Sequence, residues 1–278
     1  MPITTVAHAL PYVNWIVLVA LAVGALAFVV LTGRLTDATR GYLGFTAFCG
    51  GLLALLAWAS DTGLVPAATE LAIGTAEPQL DTLRRTGLLA CAVLAFGYTF
   101  TAGRPEQRFI LGLGALGAGS FALLIAAAGW APTLPDAVPL AVQLAMLSLA
   151  TGGALAAIVL AHWYLVTPRI SERPLLLQSR LLTGVVGVQL ALFVVWALFG
   201  GGPGQQPFET LTGELALFGW LRLLVGLLFP LLLAFMAWRT ALTRSMESST
   251  GLLYLALAAI VSGTIGSAAL YVGAGLLL

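Results

Sequence analysis

Chemistry in this chain has few places to happen. One is the stretch Ala161-His162-Trp163-Tyr164-Leu165-Val166-Thr167-Pro168-Arg169, where a long apolar run gives way to a polar, Pro-broken segment. His162 is one of two histidines and the only one inside an apolar run. An imidazole there can donate a hydrogen bond, move a proton near neutral pH or ligate a metal. Trp163 and Tyr164 beside it offer aromatic walls. A second place is Arg222, eight residues beyond Glu214 in another apolar run, which on a helix is about 12 Å. An arginine at that depth is costly unless it faces a partner or water. It reads either as half of an ion pair, with Glu209, Asp61 or Glu70 as candidate partners, or as a contact for an anion, a headgroup or a carbonyl. A third is Arg180, which opens the next apolar run after His162. With Gln178 and Arg169 it frames a polar pocket at about the depth of His162.

The elements that must position these residues follow from composition. The chain has 278 residues, 60% of them hydrophobic and 8% charged, with a mean hydropathy of +1.03. A soluble domain usually carries about 25% charged residues, so most of this surface is suited to lipid. All 12 basic residues are arginine. With no lysine, Schiff-base chemistry is excluded, and with it a retinal protein or a lysine-dependent aldolase. The net charge of +1 gives no reason to expect a nucleic-acid partner. Cys49 and Cys91 both fall in apolar runs and read as small buried hydrophobes. Met1 to Asn14 has no basic residue, and the first apolar run is too long for a signal-peptide core, so it reads as a retained span.

Runs of about 20 mostly apolar residues mark membrane spans. Eight are expected: about 12–31, 42–59, 86–102, 109–130, 138–166, 181–199, 215–238 and 252–276. Pro230 should kink the seventh, and 66–76 could form an interfacial helix. The fold class expected is therefore all-α, a polytopic bundle in one domain. Arg34, Arg40, Arg104, Arg108, Arg169, Arg173, Arg239 and Arg244 all lie in odd-numbered connections. Positive charge stays in the cytoplasm, which puts both termini outside a cell membrane. Gly114 and Ala118, Gly153 and Ala157, and Gly263 and Ser267 are small pairs at helical spacing that let helices approach closely.

The spacing Ile158-His162-Leu165 resembles a loose pattern described for quinone sites. Its physics is that an imidazole donates to a quinone carbonyl while aliphatic side chains on the same helical face cover the ring. The alternative for His162 is an interfacial residue in an aromatic belt. A haem b held by two histidines of this chain is disfavoured, because His8 precedes the first span on the opposite side. Met146, sixteen residues from His162, is about 24 Å away along a helix and cannot share an iron with it.

No span contains paired Asp or Glu, which argues against a carboxylate proton relay or a diphosphate-binding prenyltransferase. The expectation is an integral membrane subunit of a respiratory or other redox complex. It would have a quinone, lipid or haem pocket near the cytoplasmic end of the fifth helix, formed by His162, Trp163, Ile158, Leu165 and Arg180, with Arg222 as a further contact. Its partners would be the lipid bilayer and other membrane subunits or a second copy of itself. Two alternatives stay open: a small-molecule transporter, and a membrane enzyme acting on a lipid-linked substrate.

Overall fold

The computed structural model describes residues 3–64, 71–73, 78–101, 104–167 and 170–278. Among these, the secondary structure is helical throughout. Eight long helices follow one another: α1 (Ile3–Leu35), α2 (Arg40–Ser60), α3 (Pro78–Phe100), α4 (Pro105–Trp130), α5 (Leu134–Val166), α6 (Arg173–Phe199), α7 (Ala216–Leu242) and α8 (Met246–Ala274). Seven are long and apolar enough to cross a membrane. The exception is α3, where an eighth span was expected. It starts two turns before its apolar run and brings Asp81, Arg84 and Arg85 into the helix. The chain is an all-helical, multi-pass membrane bundle.

The helices overrun the apolar runs because hydropathy marks contact with lipid, whereas a helix continues while its backbone can hydrogen bond and its caps permit. Thr133 caps α5 by accepting from the Asp136 amide, with Pro135 following in the first turn. This sets the helix start at Leu134, ahead of Pro139. Pro105 plays the same part at the start of α4. Most of the interfacial segment expected over 66–76 lies outside the described residues.

Helices α1 and α5 are the most buried spans and form the axis of the bundle. Helix α1 packs against α2, α4, α5 and α8, while α3 packs against α2 and α4. The closest crossing is at Gly24 and Gly152. A Cβ on Gly152 would lie 2.3 Å from the Ala25 amide nitrogen, and one on Gly24 would lie 1.8 Å from the Ser148 carbonyl oxygen. Only glycine permits that approach, which exchanges side-chain volume for backbone contact. Gly153, of the expected small pairs, receives the Phe28 ring instead.

The two larger buried clusters divide the molecule by depth. One holds the beginning of α1, the ends of α2, α4 and α6, the start of α5 and the end of α8, including Tyr12, Trp15, Trp130, Trp196 and Tyr271. The other spans the middle and opposite end, including Tyr42, Tyr98, Tyr164, Leu175 and Leu253. The beginning of α1 and the end of α8 therefore lie in one layer, called here the terminal end. Arg34, Arg104, Arg108, Arg173, Arg239 and Arg244 belong to helix ends and turns of the opposite layer, the basic end.

Candidate functional site

At the basic end, α5 stops at Val166 and α8 starts at Met246, leaving a recess of about 550 Å³ between them. Tyr164, Leu165, Arg244, Ser245, Met246 and Glu247 line it. Tyr164 is buried and donates to the Ser171 carbonyl, which fixes the turn leaving α5. Arg244 sits in the tight turn between α7 and α8 with φ of 56°. Left-handed backbone in a side-chain-bearing residue stores strain, and such residues concentrate at functional sites. Its guanidinium lies 3.5 Å from the Glu172 carboxylate at the start of α6.

The residues expected around this mouth are only partly brought together. Leu165 lines the recess. His162, one turn earlier, is exposed at the end of α5 and is not among the lining residues. Ile158 is buried in the bundle core and is not among the lining residues. Trp163 packs on α2, with its ring 6.4 Å from that of Phe45 and close over Gly41. Arg180 is exposed on the second turn of α6, while Gln178 faces inward. Gln178 donates to Thr32 Oγ1 at 2.8 Å and to Tyr42 Oη at 2.5 Å, and Tyr42 donates to the Ala156 carbonyl at 3.3 Å. This polar knot ties α1, α2, α5 and α6 together and is helix–helix glue. Arg169 lies outside the described residues.

Arg222 is on the second turn of α7 and only 4% exposed. None of its three candidate partners reaches it among the described residues. Asp61 is engaged by Arg84, Glu209 accepts from the Gln206 amide, and Glu70 lies outside the described residues. Among the described residues its one hydrogen bond runs from Nη1 to the Gly226 carbonyl, at 3.3 Å. The reason is local. Pro230 has no N–H to give the carbonyl four residues back, which is that of Gly226. The backbone adapts through a π-turn over Leu224–Leu228, with the Phe229 amide bonding to the Leu224 carbonyl. A kink was expected at Pro230, and the π-turn lies just before it. The guanidinium supplies the donor that proline lacks. Its Nε is buried without a partner. A cavity of about 210 Å³ adjoins it, lined also by Phe218, Leu221, Val225, Ser262, Gly263 and Gly266.

No family model, curated protein or solved structure matches the chain. The chemistry of these side chains therefore carries the functional argument by itself.

One further charged centre was not anticipated from the sequence. Arg84 is 2% exposed and grips Asp61 in a bidentate fork, with Nε 2.8 Å from Oδ2 and Nη2 3.1 Å from Oδ1. Asp81 lies 2.8 Å from its Nη1. The Trp15 and Trp130 rings flank the guanidinium at 5.7 and 5.6 Å. Arg85 sits over Trp58 at 5.4 Å. Two carboxylates and two indoles surround Arg84, and this centre holds the terminal end together. Among the described residues, no three His, Cys, Asp or Glu side chains come together as a metal-binding set.

Proposed function

We propose that this chain is a non-catalytic integral membrane subunit that holds a quinone at the mouth between α5 and α8. The observation that supports it is the recess of about 550 Å³ opening directly off the end of α5. Its volume lies in the range of small-molecule sites, about 300–1,000 Å³. Its lining has the character such a ligand needs. Leu165 and Met246 give aliphatic cover for a ring, and Arg244 gives a donor for a carbonyl. His162 stands one turn before Leu165 on the exposed side of α5, where an isoprenoid tail would leave for the lipid. The burial of ring and tail supplies most of the affinity, and a hydrogen bond from the charged Arg244 would add about 1.5–3 kcal/mol.

The test is organic extraction of the purified chain, with quinone counted per mole of protein. Wild type should carry quinone. Leu165→Trp, which fills the recess, should reduce it at least fivefold, and His162→Ala should reduce it less. Equal content in wild type and Leu165→Trp, or none in wild type, overturns the reading.

A further inference from the structure

Arg222 poses a charge problem that the described residues leave open. Six residues into α7, it is roughly 9 Å along the helix from the start of the span. It is buried, and no carboxylate among the described residues pairs with it. One face of its guanidinium is explained by the Gly226 carbonyl. The side chain also lines a cavity, and its Nε is buried without a partner. A buried cation without a counter-charge is strongly unfavourable in a membrane.

The cavity is shaped for a small polar group beside that cation. Gly226 and Gly263 keep its inner wall flat: a Cβ on Gly263 would sit 2.6 Å from Arg222 Nη1, and one on Gly226 would sit 3.1 Å from it. A Cβ on Gly266 would meet nothing within 4 Å, so that side is open space. Gly263 and Gly226 therefore give the guanidinium its room, and Gly266 leaves room beside it. The outer rim is apolar and exposed, formed by Phe218, Leu221 and Val225. About 210 Å³ takes a headgroup-sized ion and no more. A longer apolar chain would lie outside, along that rim.

We infer that the α7–α8 cavity at Arg222 binds the oxyanion of an anionic amphiphile, whose acyl chain runs along Phe218, Leu221 and Val225 into the lipid. The oxyanion supplies a counter-charge for Arg222 and accepts from its guanidinium. The ligand comes from the membrane, because the exposed side of the cavity is apolar. The site lies on α7 and α8 near the terminal end and is independent of the quinone reading for the recess at the basic end.

Native mass spectrometry of the full chain in a neutral detergent tests this. Four probes are added separately: oleate, a dioleoyl phosphatidylglycerol, oleyl alcohol and inorganic phosphate. Wild type should retain one oleate or one phosphatidylglycerol per chain, and neither oleyl alcohol nor phosphate. Whichever lipid is retained shows whether the group is a carboxylate or a phosphate. Arg222→Gln should lower retention at least tenfold. Should that variant fail to fold, Gly266→Phe decides, since it fills the open side and leaves Arg222 in place; it too should lose at least tenfold. Leu165→Trp should leave retention unchanged, which separates this site from the recess. Equal retention in wild type and Gly266→Phe, or retention of neither lipid by wild type, overturns the proposal. Retention of inorganic phosphate in place of the lipids overturns the amphiphile assignment.

Discussion

Arg84 and Arg222 are both arginines withdrawn from solvent, and their surroundings treat the charge in opposite ways. Arg84 is met by Asp61 and Asp81 and flanked by two indoles. Arg222 meets a carbonyl and a cavity. Removing one member of a buried pair strands the other, at about 3–5 kcal/mol. Arg84→Leu should therefore destabilise the bundle by about that amount, and Asp61→Leu added to it should recover part of the loss, as read by unfolding midpoints in detergent. If the double variant is no more stable than the single, Asp61 was not left stranded and the pair is not the stabilising unit. The sequence marks Arg222 because it stands inside an apolar run. It does not mark Arg84, whose partner is 23 residues away across a polar connection; nothing in the spacing tells which of several loop acids folds back. His162 stands out for its rarity, yet its exposure follows from the turn of helix it occupies, and rarity does not set that.

For the helices, apolar runs gave the number and order of elements, because a membrane span must be both long and apolar. They gave α3 less well, since three charges within its first two turns hide a helix whose polar face is internally paired. Close approach was legible as small residues at helical spacing. Which of them mattered was not, because that depends on which helices cross. Gly152 and Gly184 make the contrast testable. A Cβ at Gly152 runs into the α1 backbone, whereas one at Gly184 meets nothing within 4 Å. Gly152→Ala should cost at least about 1–3 kcal/mol through overpacking. Gly184→Ala, the same chemical change, should gain roughly 0.5–1 kcal/mol from reduced backbone entropy. Thermal midpoints of the two variants should move in opposite directions.

Across the whole molecule, the arginine-rich turns gather at one end, while Arg84 and Arg85 at the other are offset by Asp61 and Asp81. The positive-inside rule predicts that the basic end faces the cytoplasm. Single cysteines in a background lacking Cys49 and Cys91 read this out. Pro207 and Ser248 are exposed and lie at opposite ends, whereas Gly202 packs too closely on Gly275 to take a side chain. Pro207→Cys should react with an impermeant reagent added outside intact cells, and Ser248→Cys should not. Labelling in the reverse sense would invert the topology.

The crossing of α1 and α5 at Gly24 and Gly152 also has a history in time. The two glycines are about 130 residues apart, so at 5–20 residues per second α1 leaves the ribosome on the order of ten seconds before its main partner. Through that interval lipid must stand in for α5, and α1 suits the wait: the described part of its span carries few ionisable groups. The contact that lipid would shelter worst, the Asp61–Arg84 pair, closes over a short separation, a second or several into the same interval. Charges are thus settled early between near neighbours. At the α1–α5 crossing the slow search across the chain is left to surfaces of alanine, glycine and leucine, for which the bilayer is a tolerable place to linger.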